Sequence, residues 1–255
     1  MQQSIARVAQ VLAGAERILF ITGAGLSADS GLPTYRGLGG LYNGLTAEGL
    51  PIETALSGPM LQRDPALCWK YLAELGKACL GAQANAGHRA IAELQRHKPQ
   101  CWVLTQNIDG YHRAAGSPPE RLIEIHGQLS PLFCQLCGET SAELAEHLRR
   151  PLPPLCTQCG GVLRPPVVLF EEMLPRAALT RLDQALGLGF EAVVTVGTTA
   201  SFPYIVEPVL RARRAGAFSL EINPGMTDLS DLVDVHLNAR ALDVLPELVS
   251  HICSH

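Results

Sequence analysis

Two pairs of cysteines have the spacing of a metal site. Cys134 and Cys137 form one C-x-x-C pair, Cys156 and Cys159 form a second, eighteen residues separate the two pairs, and a glycine follows each. Four thiolates from two such pairs can surround one zinc ion tetrahedrally, and they leave no position open for water. The spacing therefore predicts a structural zinc site. A redox dithiol is the less favoured interpretation.

A second group of polar residues has the chemistry of a catalytic site. Gln106, Asn107 and Asp109 follow one apolar segment, and His126 follows the next. An imidazole can accept a proton near neutral pH, and amide and carboxylate groups can hold a ribose or a carboxamide. From these residues alone, a structural role is the favoured interpretation of His126, and a turn role for Asn107 and Asp109 is as reasonable as a functional one.

A glycine-containing turn near the N-terminus is the third candidate site. The apolar residues 18–21 precede Gly23, Gly25 and Ala28, which have the G-x-G-x-x-A spacing of a strand that turns tightly into a helix beside a pyrophosphate. The spacing alone also fits a simple tight turn. A standard dinucleotide fold needs an acidic residue at the end of a second strand about 20 residues on. Residues 37–100 contain no clear strand, so an ordinary NAD-dependent dehydrogenase is disfavoured.

The elements that must position these residues alternate along the chain. Periodicity predicts helices at residues 2–16, 64–80 and 88–96, loops at 46–59, and strands at 18–21, 102–105, 122–125, 167–170, 192–196, 218–222 and 235–237. Such alternation is typical of an α/β fold with a doubly wound parallel sheet. Ligands bind beyond the carboxyl ends of the strands in such sheets, where the candidate polar residues are expected.

The composition excludes several classes of partner. The chain has 255 residues, a net charge of -4 and 17% charged residues, so we expect no direct binding to nucleic acid. The N-terminal segment does not resemble a signal peptide, and no apolar run reaches the length of a membrane span. We therefore expect a cytoplasmic protein without a membrane partner.

Several motifs in this order resemble the sirtuins, the NAD-dependent protein deacylases, in their bacterial-type, zinc-containing form. The similarity covers about residues 15–245 and includes the turn after residue 22, Thr105 to Asp109, His126-Gly127, the paired C-x-x-C motifs, residues 167–170, Gly197-Thr198-Thr199 and Asn223. The resemblance implies a Rossmann-like NAD-binding domain at residues 1–37, 98–131 and 162–255, a helical module at 38–97 and an inserted zinc-binding module at 132–161.

The resemblance also implies a reaction and a set of site residues. In the family, the carbonyl oxygen of an acyl-lysine attacks the nicotinamide ribose of NAD, nicotinamide leaves, and a histidine helps to deprotonate a ribose hydroxyl, which yields O-acyl-ADP-ribose. The catalytic positions are His126 and Asn107. The substrate peptide is expected beside Val167, Val168, Leu169 and Phe170. NAD is expected to contact Gly23, Ala24, Gly25, Ser27, Ala28, Tyr35, Arg36, Gln106, Asn107, Asp109, Gly197, Thr198, Thr199 and Asn223.

The chain departs from the family pattern at several positions. Tyr35 stands where the family usually has phenylalanine, and Glu171 replaces a glycine, which could favour basic residues beside the target lysine. Members that prefer succinyl-lysine carry Tyr-x-x-Arg after an Asp-Pro element, but Asp64-Pro65 is followed here by Leu72 and Leu75. Because apolar residues cannot compensate a buried carboxylate, we predict neutral acyl groups as substrates.

Two alternative functions remain open at this point. A mono-ADP-ribosyltransferase would use the same site and differ only in what captures the activated ribose. A zinc-ribbon interaction module would explain the cysteine pairs alone. It is less favoured because the zinc segment is not notably basic and lacks interleaved aromatic residues.

Overall fold

The structure is a computed structural model that describes residues 2–33, 44–141 and 143–254. The predicted NAD contacts Tyr35 and Arg36 lie outside the described residues. Within the described ranges, no helix is both long enough and apolar enough to cross a membrane.

A six-stranded parallel sheet forms the centre of the fold and confirms the predicted Rossmann-like class. Its strands are β1 Arg17–Thr22, β2 Gln100–Thr105, β3 Leu122–Glu124, β6 Ala192–Val196, β7 Phe218–Ile222 and β8 Val235–Leu237. They lie in the order β3-β2-β1-β6-β7-β8, so the winding of the chain reverses at β1. The adjacent carboxyl ends of β1 and β6 are where doubly wound sheets bind ligands.

Helices cover both faces of this sheet. One face packs against α1 Gln2–Gly14, α6 Ala86–His97 and α11 Ala241–Cys253, and the other against α9 Arg176–Gly187 and α10 Pro203–Arg214. In β1, Ile18 and Phe20 face the first group and Leu19 and Ile21 face the second. Because both faces are buried, the strand needs no polar alternation, which is why it reads as a continuous apolar run.

A second apolar cluster joins the helical and cysteine-rich parts of the chain. Trp69 is buried there, and its indole N–H donates to the carbonyl oxygen of Leu163 at 2.9 Å. β4 Phe133–Cys134 lies at the start of the predicted zinc-binding module and pairs antiparallel with β5 Leu163–Arg164, which follows the end of that module. The remaining helices are α2 Ala24–Ala28, α3 Ile52–Ala55, α4 Gly58–Arg63, α5 Pro65–Gly81, α7 Tyr111–Ala114, α8 Leu144–His147 and the short 3-10 helix Pro119–Arg121.

Two expectations from periodicity were wrong. Residues 46–59, expected as a loop, contain α3 and the start of α4. Residues 167–170, expected as a strand of the sheet, instead form isolated bridges, from Val167 to Gly127 and from Phe170 to Ser57. The division into three modules stays a prediction, and α6, placed in the helical module, packs on α11 and the sheet.

Candidate functional site

A cavity of about 820 Å³ lies beyond the carboxyl ends of β1, β2 and β6. It occupies the position at which the strand order reverses, where a dinucleotide is expected in this fold. The predicted site residues in its lining are Gly23, Ala24, Gly25, Ala28, Gln106, Asn107, His126, Val167, Val168, Leu169, Phe170, Gly197, Thr198, Thr199 and Asn223.

Close packing of two turns explains the glycines after β1. The N–H of Gly25 donates to the carbonyl oxygen of Gly197 at 2.8 Å. A Cβ on Gly25 would lie 2.6 Å from Cα of Gly197, and a Cβ on Gly23 would lie 2.7 Å from the carbonyl oxygen of Gly197. Both neighbours are backbone atoms that cannot rotate away, so the turns meet only when neither carries a side chain. The result is an open backbone surface that fits the pyrophosphate of NAD.

A chain of hydrogen bonds organises the polar side of the cavity. The Nε2 of Gln106 donates to Oγ1 of Thr198 at 2.7 Å, which links the ends of β2 and β6 across β1. The Nδ2 of Asn223 donates to the carbonyl oxygen of Thr198 at 3.0 Å. Thr199 is exposed beside them. These amides and hydroxyls are the kinds of groups that hold ribose and phosphate oxygens.

Two other predicted cofactor contacts, Ser27 and Asp109, lie behind the side chain of Asn107. Asn107 donates from Nδ2 to the carbonyl oxygen of Gly23 at 3.0 Å and to Oγ of Ser27 at 3.1 Å. Ser27 in turn donates to Oδ2 of Asp109 at 2.6 Å, and burial raises the pKa of that carboxyl. Neither Ser27 nor Asp109 lines the cavity that the described residues form. Their geometry orients Asn107, while their contact with NAD stays a prediction.

His126 lines the cavity with its tautomer set by the backbone. Its Nδ1 lies 2.9 Å from the carbonyl oxygen of Gln106, which can only accept, so Nδ1 carries the proton and Nε2 carries the lone pair. Burial lowers the pKa of His126, although the same carbonyl acts in the opposite direction. At neutral pH the imidazole is therefore uncharged, which is the form that a general base requires.

Two aromatic residues of this site were missed by the sequence reasoning. Tyr204 places its hydroxyl oxygen 2.7 Å from Nε2 of His126. Phe202 stacks on Tyr204 with ring centroids 5.3 Å apart and meets His126 edge-on at 6.1 Å. A usable signal existed, because both residues follow the Gly197 turn at the end of a predicted central strand.

Residues 167–170 form an extended segment, here called the strap, that closes one side of the cavity. The N–H of Val168 donates to the carbonyl oxygen of His126 at 2.8 Å, and the N–H of Phe170 donates to that of Leu56 at 3.0 Å. The strap is thus hydrogen-bonded both to the sheet domain and to the helical segment. The strap therefore lies beside the candidate base His126.

Two residues with positive φ flank the strap contacts. Gly127 has φ 78°, and a Cβ there would lie 1.9 Å from the carbonyl oxygen of Pro166, so the glycine after His126 is needed for the strap to approach. Glu171 has φ 65° although it is not glycine. The left-handed backbone is therefore kept at a cost of roughly 1–2 kcal/mol. The Glu171 carboxylate is exposed at the cavity rim.

An ion pair that the sequence reasoning also missed holds the strap in place. Arg164 and Glu172 form two hydrogen bonds of 2.5 and 2.9 Å, and the arginine side chain is 7% exposed. Arg164 also donates to the carbonyl oxygen of Val167 at 2.6 Å, while Glu172 accepts from the N–H of Leu169 at 2.9 Å. The bidentate pair therefore binds the backbone of the strap at two points.

The wall contributed by the helical segment is apolar. Leu56, Leu72 and Leu75 line the cavity beside the strap, and the first two are buried. The helix that carries Leu72 and Leu75 begins where Asp64 accepts from the N–H of Leu67 at 3.0 Å. This part of the cavity suits an aliphatic chain.

The four cysteines predicted to bind zinc lie together. Their sulfur atoms are all within 4.8 Å of one another, and the distances are 3.4 Å for Cys134 to Cys159 and 3.7 Å for Cys137 to Cys156. Tetrahedral zinc with Zn–S bonds of about 2.3 Å separates its sulfur ligands by about 3.8 Å. The donor set therefore fits a structural zinc ion.

Comparison with known proteins agrees with this geometry. The model of the Sir2 family matches residues 23–203. NAD-dependent protein deacylase 2 of Pseudomonas aeruginosa is 74% identical over 248 residues, which are 97% of this chain and 97% of that protein. NAD-dependent protein deacylase 2 of Pseudomonas syringae pv. tomato is 70% identical over 246 residues, 96% of this chain and 99% of that protein.

A solved structure supports the same assignment. The solved complex of a Sir2 homologue with NAD is 33% identical in sequence to this chain and superposes with a TM-score of 0.85. The match covers 97% of this chain and 93% of that chain. The sequence identities and the shared fold confirm the resemblance drawn from the motifs. This chain belongs to the Sir2 family, the sirtuins.

Proposed function

We propose that this protein is an NAD-dependent protein-lysine deacylase that releases nicotinamide and O-acyl-ADP-ribose. The observation that carries the proposal is the convergence of the paired glycine turns and a neutral His126 on one cavity. Relatives that are 74% and 70% identical bear the name NAD-dependent protein deacylase 2, and a neighbour of the same fold binds NAD.

The residues of this chain divide the work as follows. NAD, when bound, supplies the ribose that receives the acyl group and the nicotinamide that leaves. The glycine turns hold the pyrophosphate, and Asn107, oriented by Ser27, meets the nicotinamide end. His126 is the base that takes up, at Nε2, the proton lost by the hydroxyl that attacks the acyl carbon. The strap and the leucine wall exclude water, which favours transfer to ribose over hydrolysis.

We also assign the remaining predicted residues to NAD binding. Ala24 and Ala28 lie in the glycine turn, and Tyr35 and Arg36 are assigned from the motif alone. Gln106, Thr198, Thr199 and Asn223 supply polar groups for ribose and phosphate, and the half-buried Asp109 acts through Ser27 and Asn107.

We further propose that neutral acyl groups are preferred. The wall formed by Leu56, Leu72 and Leu75 offers no cation to a carboxylate, and a buried unpaired carboxylate is costly. Acetyl-lysine is the first expected substrate, and the cavity volume leaves room for longer aliphatic chains. The peptide would add as a strand beside the strap. The exposed Glu171 carboxylate at the rim favours substrates with lysine or arginine next to the target.

The test compares acetyl-, decanoyl- and succinyl-peptides incubated with NAD and followed by mass spectrometry. We expect turnover of the first two peptides, at least tenfold slower turnover of the third, and loss of product in His126→Ala. Leu75→Arg should raise succinyl turnover relative to acetyl turnover, whereas the neutral Leu75→Met should not. Faster succinyl than acetyl turnover in the wild type would contradict the neutral preference.

Radiolabelled NAD separates the deacylase from the ADP-ribosyltransferase. Label recovered in O-acetyl-ADP-ribose supports the proposed function, and label retained on protein supports the transferase.

We also propose a cytoplasmic location. None of the eight cysteines forms a disulfide, which suits a reducing compartment.

A further inference from the structure

The hydrogen bond between Tyr204 and His126 lies at the reacting end of the cavity. Tyr204 belongs to the first turn of α10, and its hydroxyl oxygen lies 2.7 Å from Nε2 of His126. Phe202 stacks against its ring, so the hydroxyl is held in place by packing as well as by the hydrogen bond. Both Tyr204 and His126 line the cavity.

The two bonds of the imidazole leave no free lone pair on the base. The Nδ1 of His126 donates to the carbonyl oxygen of Gln106, so only Nε2 can accept a proton. An imine nitrogen has one lone pair in the ring plane, and the Tyr204 hydroxyl donates to it at 2.7 Å. A ribose hydroxyl can reach this lone pair directly only if Tyr204 moves away.

Tyr204 has the properties of a relay. A phenol both donates and accepts a hydrogen bond, so its oxygen can receive one proton while its own proton is transferred. Burial raises the pKa of Tyr204 to about 12, which keeps the hydroxyl protonated at neutral pH. Its half-buried position on the cavity wall leaves the oxygen accessible to a bound substrate.

We propose that Tyr204 is a further catalytic residue that relays the proton from the attacking ribose hydroxyl to His126. Tyr204 transfers its own proton to Nε2 of His126 and takes up the proton that the ribose hydroxyl loses as its oxygen bonds to the acyl carbon. One O–H bond of the ribose is exchanged for one N–H bond of His126, and Tyr204 ends unchanged. This inference rests on the proposed deacylase function.

The test is Tyr204→Phe, which keeps the ring stacked on Phe202 and removes only the hydroxyl. We expect formation of O-acetyl-ADP-ribose to fall at least about tenfold, because general-base catalysis contributes about 10²–10⁴-fold. Exchange of labelled nicotinamide into NAD, which precedes the relay, should stay within about twofold of wild type or rise. Tyr71→Phe is the matched control, because it removes a hydroxyl bonded to Glu48 outside this cavity.

A measurement on the ligand-free protein gives an independent readout. In ¹⁵N NMR spectra, the Nε2 resonance of His126 should move toward that of an imine nitrogen without a hydrogen bond in Tyr204→Phe, and it should not move in Tyr71→Phe. Wild-type rates of O-acetyl-ADP-ribose formation in Tyr204→Phe would overturn the relay. Absence of both nicotinamide exchange and product in the wild type would instead contradict the deacylase function.

Discussion

Replacing Gly25 by alanine tests the packing of the two turns that form the NAD cradle. The added Cβ would lie 2.6 Å from Cα and 2.9 Å from the carbonyl oxygen of Gly197, against about 3.5–4 Å for an ordinary carbon contact. One turn must therefore move by about 1 Å. Overpacking of this kind costs about 1–3 kcal/mol. In a chain of this size that lowers the melting temperature by about 2–12 °C.

Displacement of the turns should also weaken NAD binding. We expect KM for NAD to rise at least about tenfold in Gly25→Ala, measured with a saturating acetyl-peptide, together with the lower melting temperature. Gly14→Ala is the matched control. A Cβ at Gly14 meets no atom within 4 Å, so this change should be neutral or stabilise by up to about 1 kcal/mol. A Gly25→Ala protein with wild-type stability and KM would refute the packing argument.

The remaining predictions concern the ion pair, the metal and the histidines. Glu172→Gln removes the counter-charge of the buried Arg164 and weakens a charge-assisted hydrogen bond, so it should destabilise by about 2 kcal/mol in urea unfolding. It should also raise KM for peptide more than KM for NAD. Chelation of zinc should abolish activity and change the fluorescence of Trp69, because Trp69 bonds to Leu163 on the strand that pairs with Cys134. Retained folding and activity after chelation would contradict a structural role. Because burial lowers the pKa of His126, the acidic limb of kcat/KM should lie below pH 6.5, and a limb above that value would refute this reasoning. Burial lowers the pKa of His88 from 6.5 to about 4, so between these pH values the unfolded chain binds a proton that the native chain does not. The free energy of unfolding should therefore fall by about 3 kcal/mol as pH drops from 6.5 toward 4. The variant His88→Gln should lose less stability over the same pH range.

Local patterns were sufficient for much of the fold. The continuous apolar run of β1 indicates a strand buried on both faces, and the structure places helices on each side. The cysteine spacing likewise predicted a cluster that the structure brings within 4.8 Å. The strap was assigned wrongly because the prediction relied on local composition. Residues 167–170 have the composition of a strand, but they bond to His126 and Leu56 instead of the sheet.

The sequence by itself determined the family, and it predicted the four zinc ligands and the candidate base His126. Only the tertiary structure decided which of those residues face the cavity. It placed Ser27 and Asp109 behind Asn107 and brought Tyr204 to Nε2 of His126. The physical reason is that such contacts join segments far apart in the chain. Spacing and periodicity report local backbone structure, whereas a hydrogen bond across the sheet depends on how the turns pack.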